Sequence, residues 1–237
     1  MTPDAPPALA NARDLADAAA GLRRGVLFRA DAPAEGDGVP EGLEPWPPAT
    51  VIDLRGAQEK GRPHGLARTS TIIDLEVLDE ANLTGDAAHQ TLTSLEALYA
   101  HMTEGAAARA LTRATRELAV ADAPVLFHCS VGKDRTGVLA ALVLSLVGVA
   151  RERIVADYCA TGPHMEAVIA RMMRGVPAEF AQAALGSVPP EVFEAPAHAI
   201  EAVLDRWEEA GGAQRWYLDH GGDPETLAAL TARLMAA

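Results

Sequence analysis

Along the chain, short apolar runs alternate with stretches of helical period. Extended runs stand at Val26 to Phe28, Thr50 to Leu54, Thr71 to Leu75 and Pro124 to His128, each followed by turn residues or a helical pattern. Two helical stretches, around Ala88 to Met102 and Ala106 to Ala121, precede the last of these runs, and the chain after residue 136 is mostly helical in pattern. The longest apolar run, Val138 to Ala150, is too short to cross ~30 Å of hydrocarbon and reads as a buried core helix. Further on, Ile200, Val203, Leu204 and Trp207 share one helical face, and Asp223-Pro224 opens a helix carrying Leu227, Leu230 and Leu234. Between the first two strands, Asp31 to Pro48 is rich in Pro and Gly and has no period, so it reads as a surface loop whose Trp46 packs against the body of the protein. The alternation predicts an α/β plan. There is no internal repeat and no sign of a second domain, so residues 1–237 are expected to form a single domain.

Composition narrows this picture. With 237 residues, 49% of them apolar, the chain can bury a full core and needs neither disulfide nor metal to fold. Two cysteines, Cys129 and Cys159, do not make a disulfide framework, so free thiols and a reducing compartment are expected. Met1 to Asp14 has Pro and Asp where a secretory signal needs a basic start and an apolar stretch, and it reads as a loose leader. The cytoplasm is the default expectation, since secretion without a recognisable signal leaves no trace in sequence. A formal charge of −13 argues against general affinity for nucleic acid or anionic lipid surfaces. Any anion bound by this chain is bound locally.

One segment carries chemistry. Pro124 to His128 is an apolar strand that runs into the polar loop Cys129-Ser130-Val131-Gly132-Lys133-Asp134-Arg135 and then, through Thr136-Gly137, into the apolar helix. In a strand–loop–helix of this kind the amides of the loop and of the first helical turn converge and collect partial positive charge, which suits a phosphate. The same field favours the thiolate form of a cysteine at its centre, which makes Cys129 a nucleophile. Arg135, six positions on, returns to the rim and can hold two phosphate oxygens with its planar fork. Gly132 permits the tight path, and the Thr136 hydroxyl can donate to the departing thiolate. Cys six places before Arg is weak evidence alone. The preceding His128, the Gly132, the Thr136-Gly137 and the strand-to-helix context together make it strong. Cys159 serves as an internal control: Met165 stands six places after it, and it reads as core packing.

The loop from His128 to Arg135 resembles the signature of protein tyrosine and dual-specificity phosphatases, and the ending Gly132-Lys133-Asp134-Arg135-Thr136-Gly137 resembles that of the bacterial tyrosine and phosphoinositide phosphatases, a family with secreted mycobacterial and listerial members. Further matches are Asn11-Ala12-Arg13-Asp14-Leu15, Leu27-Phe28-Arg29, Val51 to Arg55, Asp157-Tyr158 and Trp216-Tyr217-Leu218. Ala16-Asp17 departs from the Gly-Gly usual after the first of these. The resemblance implies a tyrosine-phosphatase-like α/β fold with a small, mostly parallel central sheet flanked by helices and a helical C-terminal half. It also implies a metal-free, cofactor-free hydrolysis of phosphomonoesters. Cys129 attacks phosphorus, and Arg135 with the loop residues Ser130, Val131, Gly132, Lys133, Asp134 and Thr136 binds the phosphate. The partner is then a phosphorylated protein or a phosphoinositide, and no motif bears on oligomeric state.

Two carboxylates compete for the role of general acid. Asp134 lies inside the loop, whereas Asp53 ends a strand whose tip approaches the same pocket; the other reading of Asp53 and Arg55 is an ion pair that supports the loop. Asp74 and Asp79 are remoter. His128 is expected to orient the loop rather than transfer protons. Lys133 either contacts a phosphoinositide headgroup or neutralises the loop. Residues within 85–121 are a candidate helical lid, although Leu92, Leu95 and Leu98 fit an ordinary packed helix equally well. Outside this reading stand a catalytically silent phosphate-binding protein on the same scaffold, which usually lacks the Cys or the Arg, and a sulfurtransferase or thiol redox enzyme, which the Arg and Thr-Gly oppose. A nucleotide-binding loop fails because Phe127 stands where its first glycine belongs.

Overall fold

A computed structural model of the chain describes residues 8–60, 63–78, 95–174, 176–177 and 193–236. Among them, five strands form one sheet: β1 (Arg13–Asp14), β2 (Leu27–Ala30), β3 (Thr50–Asp53), β4 (Thr71–Asp74) and β5 (Val125–His128), in the spatial order β1-β2-β5-β3-β4. β1 runs antiparallel to β2, and the other neighbours are parallel. The expected strands appear within a residue or two of their predicted bounds. β1 was not foreseen, since two residues cannot display a period.

Every residue of β2, β3 and β5 is buried, which is why they read as apolar runs rather than as alternating ones. Their side chains still alternate between two cores. Leu27, Ile52, Val125 and Phe127 join the larger cluster with the helices, while Phe28, Ala30, Val51 and Leu126 join a smaller one with Leu9 and Leu43. Trp46 packs against the smaller cluster, as expected of the Pro-rich loop.

The α-helices among the described residues are α1 (Leu95–Met102), α2 (Gly105–Val120), α3 (Asp134–Leu146), α4 (Arg151–Cys159), α5 (Met165–Met172), α6 (Ala197–Glu209), α7 (Ala213–Asp219) and α8 (Pro224–Leu234). α3 is the hub. Its residues from Thr136 to Leu144 are all buried, and it packs on α2, α4, α6 and α7. Gly137 makes the contact with α4 close, because a Cβ there would lie 2.9 Å from the Tyr158 ring. The predicted face of α6 is buried at Ile200, Val203, Leu204 and Trp207, and Asp223 caps α8 by accepting the Thr226 amide at 2.7 Å. Cys159 is half-buried against the larger core.

Of the candidate lid, α1 is packed, with Leu95, Tyr99 and Met102 buried and Leu98 partly so. Residues 85–94, with Leu92, and Asp79 lie outside the described residues. Among the described residues no helix is long and apolar enough to cross a membrane.

The register of the parallel strands brings Ala30, His128, Asp53 and Asp74 level with one another at their C-terminal ends. This is the edge where parallel sheets bind ligands, and the loop that follows β5 starts there.

Candidate active site

The loop from Cys129 to Lys133 is shaped from outside. The Cys129 carbonyl is 2.8 Å from His128 Nδ1, and the Ser130 carbonyl accepts the Ala32 amide at 3.1 Å. Asn11 Nδ2 donates to the carbonyls of both Val131 and Gly132 at 3.2 Å, and Arg29 Nη2 donates to Gly132 at 3.1 Å. Since the amide and carbonyl of a planar peptide unit point opposite ways, holding these carbonyls outward turns the amides inward. The amides of Ser130, Val131, Gly132, Asp134 and Arg135 have no acceptor among the described residues. Such a nest of free N–H groups at the start of α3 suits an oxyanion. Gly132 is held at φ +71°, and a Cβ there would lie 2.3 Å from the Ala30 carbonyl oxygen, so both the conformation and the space demand glycine.

The donors are themselves fixed. Asp31 Oδ1 accepts the amides of Ala10 and Asn11 at 2.9 Å, which sets Asn11 in place. Arg29 is wholly buried and pairs with Asp157, which also accepts from Arg13 Nε at 2.9 Å. Burial alone would raise the Asp157 carboxyl pKa, but Arg29 and Arg13 outweigh it and bring it below the usual value. The sequence matches around Asn11, Arg13, Arg29 and Asp157 therefore gather on the outer side of the loop.

At the inner side, Cys129 is 1% exposed. The Arg135 guanidinium uses its Nη1 and Nη2 edge to pair with the two carboxylate oxygens of Glu59, with Nη2 to Oε1 at 2.6 Å. Burial alone would lower the Arg135 pKa, but the Glu59 hydrogen bonds and the charges of Cys129 and Glu59 raise it. Glu59 also accepts the Ser130 hydroxyl at 2.6 Å, and these bonds overcome its burial and hold its carboxyl at about 2. Asp134, the first residue of α3, accepts the Tyr99 hydroxyl at 2.8 Å and lies 3.5 Å from Lys133 Nζ. The Lys133 ammonium is buried and donates to the Glu194 carbonyl at 3.0 Å. The Thr136 hydroxyl is buried and has no hydrogen-bond partner among the described residues, Cys129 included.

Comparison with known proteins agrees with this geometry. A sequence model of the tyrosine phosphatase family matches residues 6–236. The chain belongs to that family. It is 35% identical over 200 residues, 69% of this chain and 72% of the relative, to the triple specificity protein phosphatase PtpB of Mycobacterium tuberculosis. It is also 49% identical over 45 residues, 19% of this chain and 15% of the relative, to a tyrosine-protein phosphatase of Nostoc commune. The protein is thus a phosphatase of tyrosine-phosphatase type.

In this phosphatase Asp53 is wholly engaged by Arg55, whose backbone amide donates at 3.0 Å and whose Nε and Nη2 donate at 2.9 and 2.8 Å. Burial alone would raise the Asp53 pKa, but the Arg55 hydrogen bonds together with the His128 and Arg55 charges lower it to about 2. Asp74 is an exposed partner of Lys60 at 2.7 Å. One oxygen of Asp53 and one nitrogen each of His64 and His128 lie within 4.8 Å of one another, the spacing of a metal site. Their hydrogen bonds fit a different use. His64 Nδ1 accepts the Leu66 amide at 3.0 Å, so its proton sits on Nε2, 2.8 Å from His128 Nε2. That proton fills the gap where an ion would need two bare nitrogens, and it places the His128 proton on Nδ1, facing the Cys129 carbonyl. Burial, the main cause, keeps His128 neutral, with a pKa lowered to about 4.

Sequence reasoning missed Glu59, His64 and Tyr99. No local pattern selects Glu59 or His64 from the segment after β3, or Tyr99 from the helix that carries it. Glu59, Arg55, Lys60 and His64 also line a cleft of about 670 Å³ with Pro33, Ala34, Glu35 and Pro63.

Proposed function

We propose that this phosphatase hydrolyses phosphomonoesters through a cysteinyl-phosphate. The Cys129 thiolate attacks phosphorus in line; the S–P bond forms as the P–O bond to the leaving group breaks, and the Asp134 carboxylic acid gives its proton to the departing oxygen. Water then attacks the cysteinyl-phosphate, surrendering a proton to Asp134 as the S–P bond breaks and the thiolate is restored. The amides of the loop and the Nε–Nη2 edge of Arg135, which Glu59 leaves turned away from itself, stabilise the charge spread over the phosphoryl oxygens. Asp53 serves to hold Arg55 and not to move protons, since its carboxyl is depressed to about 2 and sealed by that one residue. The observation that carries this reading is the outward binding of the loop carbonyls at Cys129, Ser130, Val131 and Gly132, which leaves an inward ring of amides around a buried cysteine.

On the resemblance of the Gly132-Lys133-Asp134-Arg135 ending to phosphatases of both kinds, we propose phosphotyrosine proteins and phosphoinositides as substrates, the leaving group lying in the cleft beside Glu59. Residues 1–237 work as one domain in this proposal, a reading supported by the bond from the Arg23 amide to the Leu234 carbonyl at 2.6 Å, which ties the start of the chain to its end.

The test is hydrolysis of an aryl phosphate in the presence of chelator by the native protein and by Cys129→Ser. Turnover by the first and none by the second, with vanadate still bound by both, is the expected result. Turnover retained by Cys129→Ser, or lost on chelation, would overturn the mechanism. A panel of phosphotyrosine peptides and phosphoinositides then sorts the substrate classes.

A further inference from the structure

Tyr99 lies outside the loop and its sequence motif, yet its hydroxyl reaches the loop. It is wholly buried on α1, 2.8 Å from Asp134 Oδ1 and 2.6 Å from the hydroxyl of Tyr158 on α4, the two rings standing edge to face at 87°. A carboxylate only accepts, so the Tyr99 hydroxyl donates to Asp134 and its oxygen in turn accepts from Tyr158. The two bonds thereby run in one direction, from α4 through α1 to the first residue of α3. Lys133 Nζ, at 3.5 Å, approaches the same Oδ1. Asp134 Oδ2 has no hydrogen-bond partner among the described residues, and the side chain is 22% exposed, so one oxygen faces the protein and the other faces out.

We propose that Tyr99 is a positioning residue for the proton transfer, selecting the oxygen of Asp134 that carries the proton. This inference rests on the reading of Asp134 as general acid. With Oδ1 committed as acceptor to Tyr99, the acid proton resides on Oδ2. From there it passes to the leaving oxygen as the P–O bond breaks, and Oδ2 recovers a proton from the attacking water in the second step. Tyr158 fixes the rotor of the Tyr99 hydroxyl so that its hydrogen stays on Asp134 instead of turning away. A helix outside the loop thus aims the acid within it.

The experiment compares kcat/KM, which reports the steps up to cysteinyl-phosphate formation, for two aryl phosphates. One releases a phenol as basic as tyrosine, of pKa about 10, and the other a nitrophenol activated enough to leave without a proton. The ratio of the activated to the unactivated substrate measures the need for an acid. Positioned acids contribute roughly 10²–10⁴-fold, so Asp134→Asn should raise this ratio by about 100-fold and Tyr99→Phe, which keeps the ring and removes the donor, by about tenfold. Tyr158→Phe should give a smaller rise, and Asp134→Asn/Tyr99→Phe no more than Asp134→Asn alone. A merely structural role for Tyr99 would lower both substrates together and leave the ratio unmoved; that result, alongside a raised ratio for Asp134→Asn, would overturn this inference alone. An unmoved ratio for Asp134→Asn would overturn the acid assignment beneath it.

Discussion

The outer and inner sides of the phosphate loop are built on opposite terms. Outside, Asn11, Arg29, His128 and Asp157 are buried and bonded to fixed protein partners. Inside, Glu59 and Asp134 keep about a quarter of their side chains exposed, at 28% and 22%, and Arg135 is held by one carboxylate and a long bond to the Leu54 carbonyl at 3.5 Å. On the proposed mechanism the backbone of the cradle is set by groups that do not meet substrate, whereas the charges that act on substrate hang on a few replaceable bonds. Shape and reactivity are kept by different residues, so they should fail separately.

The strongest way to break this division is at Asp157. Asp157→Asn leaves Arg29 as a buried cation without its counter-charge, and urea unfolding should show a loss of about 3–5 kcal/mol; a loss below about 1 kcal/mol would mean that the outer network is not what holds the loop. Acid should act next. The fold keeps His128 neutral with a pKa of about 4 against 6.5 in the open chain, so the unfolded state alone binds that proton between these values. Stability should therefore fall as pH drops from about 6.5 to 4, by up to about 3 kcal/mol, and this contribution should level off below 4. His64, lowered mainly by burial, adds to the slope in the same direction. Urea midpoints across that range, with His128→Gln flattening the curve, check the sign.

Smaller effects sharpen the comparison. Asn11→Ala strips a donor from two loop carbonyls and should cost about 1–3 kcal/mol. Its activity loss should appear as weaker vanadate binding, because the ring of amides relaxes. Glu59→Gln should leave stability within about 1 kcal/mol, as for other partly exposed pairs, while lowering kcat/KM about tenfold through a loosened Arg135. If calorimetry found Glu59→Gln as damaging as Asp157→Asn, the two sides of the loop could no longer be assigned separate tasks.

What could be read from sequence follows the range of the interactions. The strands, the buried helix expected over Val138 to Ala150 and found over Asp134–Leu146, and the strand–loop–helix order around Cys129 are local, written in runs of neighbours, and they were legible. The family matches at Asn11, Arg29 and Asp157 were visible as letters but not as roles, because the partners they serve stand more than 100 positions away. Glu59 and His64 were silent for the same reason: each meets the loop across more than 60 positions, and nothing beside them marks it. Asp53 was a fair contest on paper, since Asp53-Leu54-Arg55 supports both an acid and an ion pair. The fork of Arg55 across both oxygens, which makes the ion pair, is visible only in three dimensions.

The bond from Asn11 to Gly132 spans 121 positions and that from Arg29 spans 103. Such long loops close late, after the entropy of bringing their ends together has been met. Affinity for an oxyanion should therefore arise only at the end of folding, as a property of the finished chain and not of its loop. By mass action, phosphate or vanadate at about 100 times its dissociation constant would then stabilise the native state by about 2.7 kcal/mol. The same anion that the phosphatase releases as product would serve as a chaperone for the shape that made it.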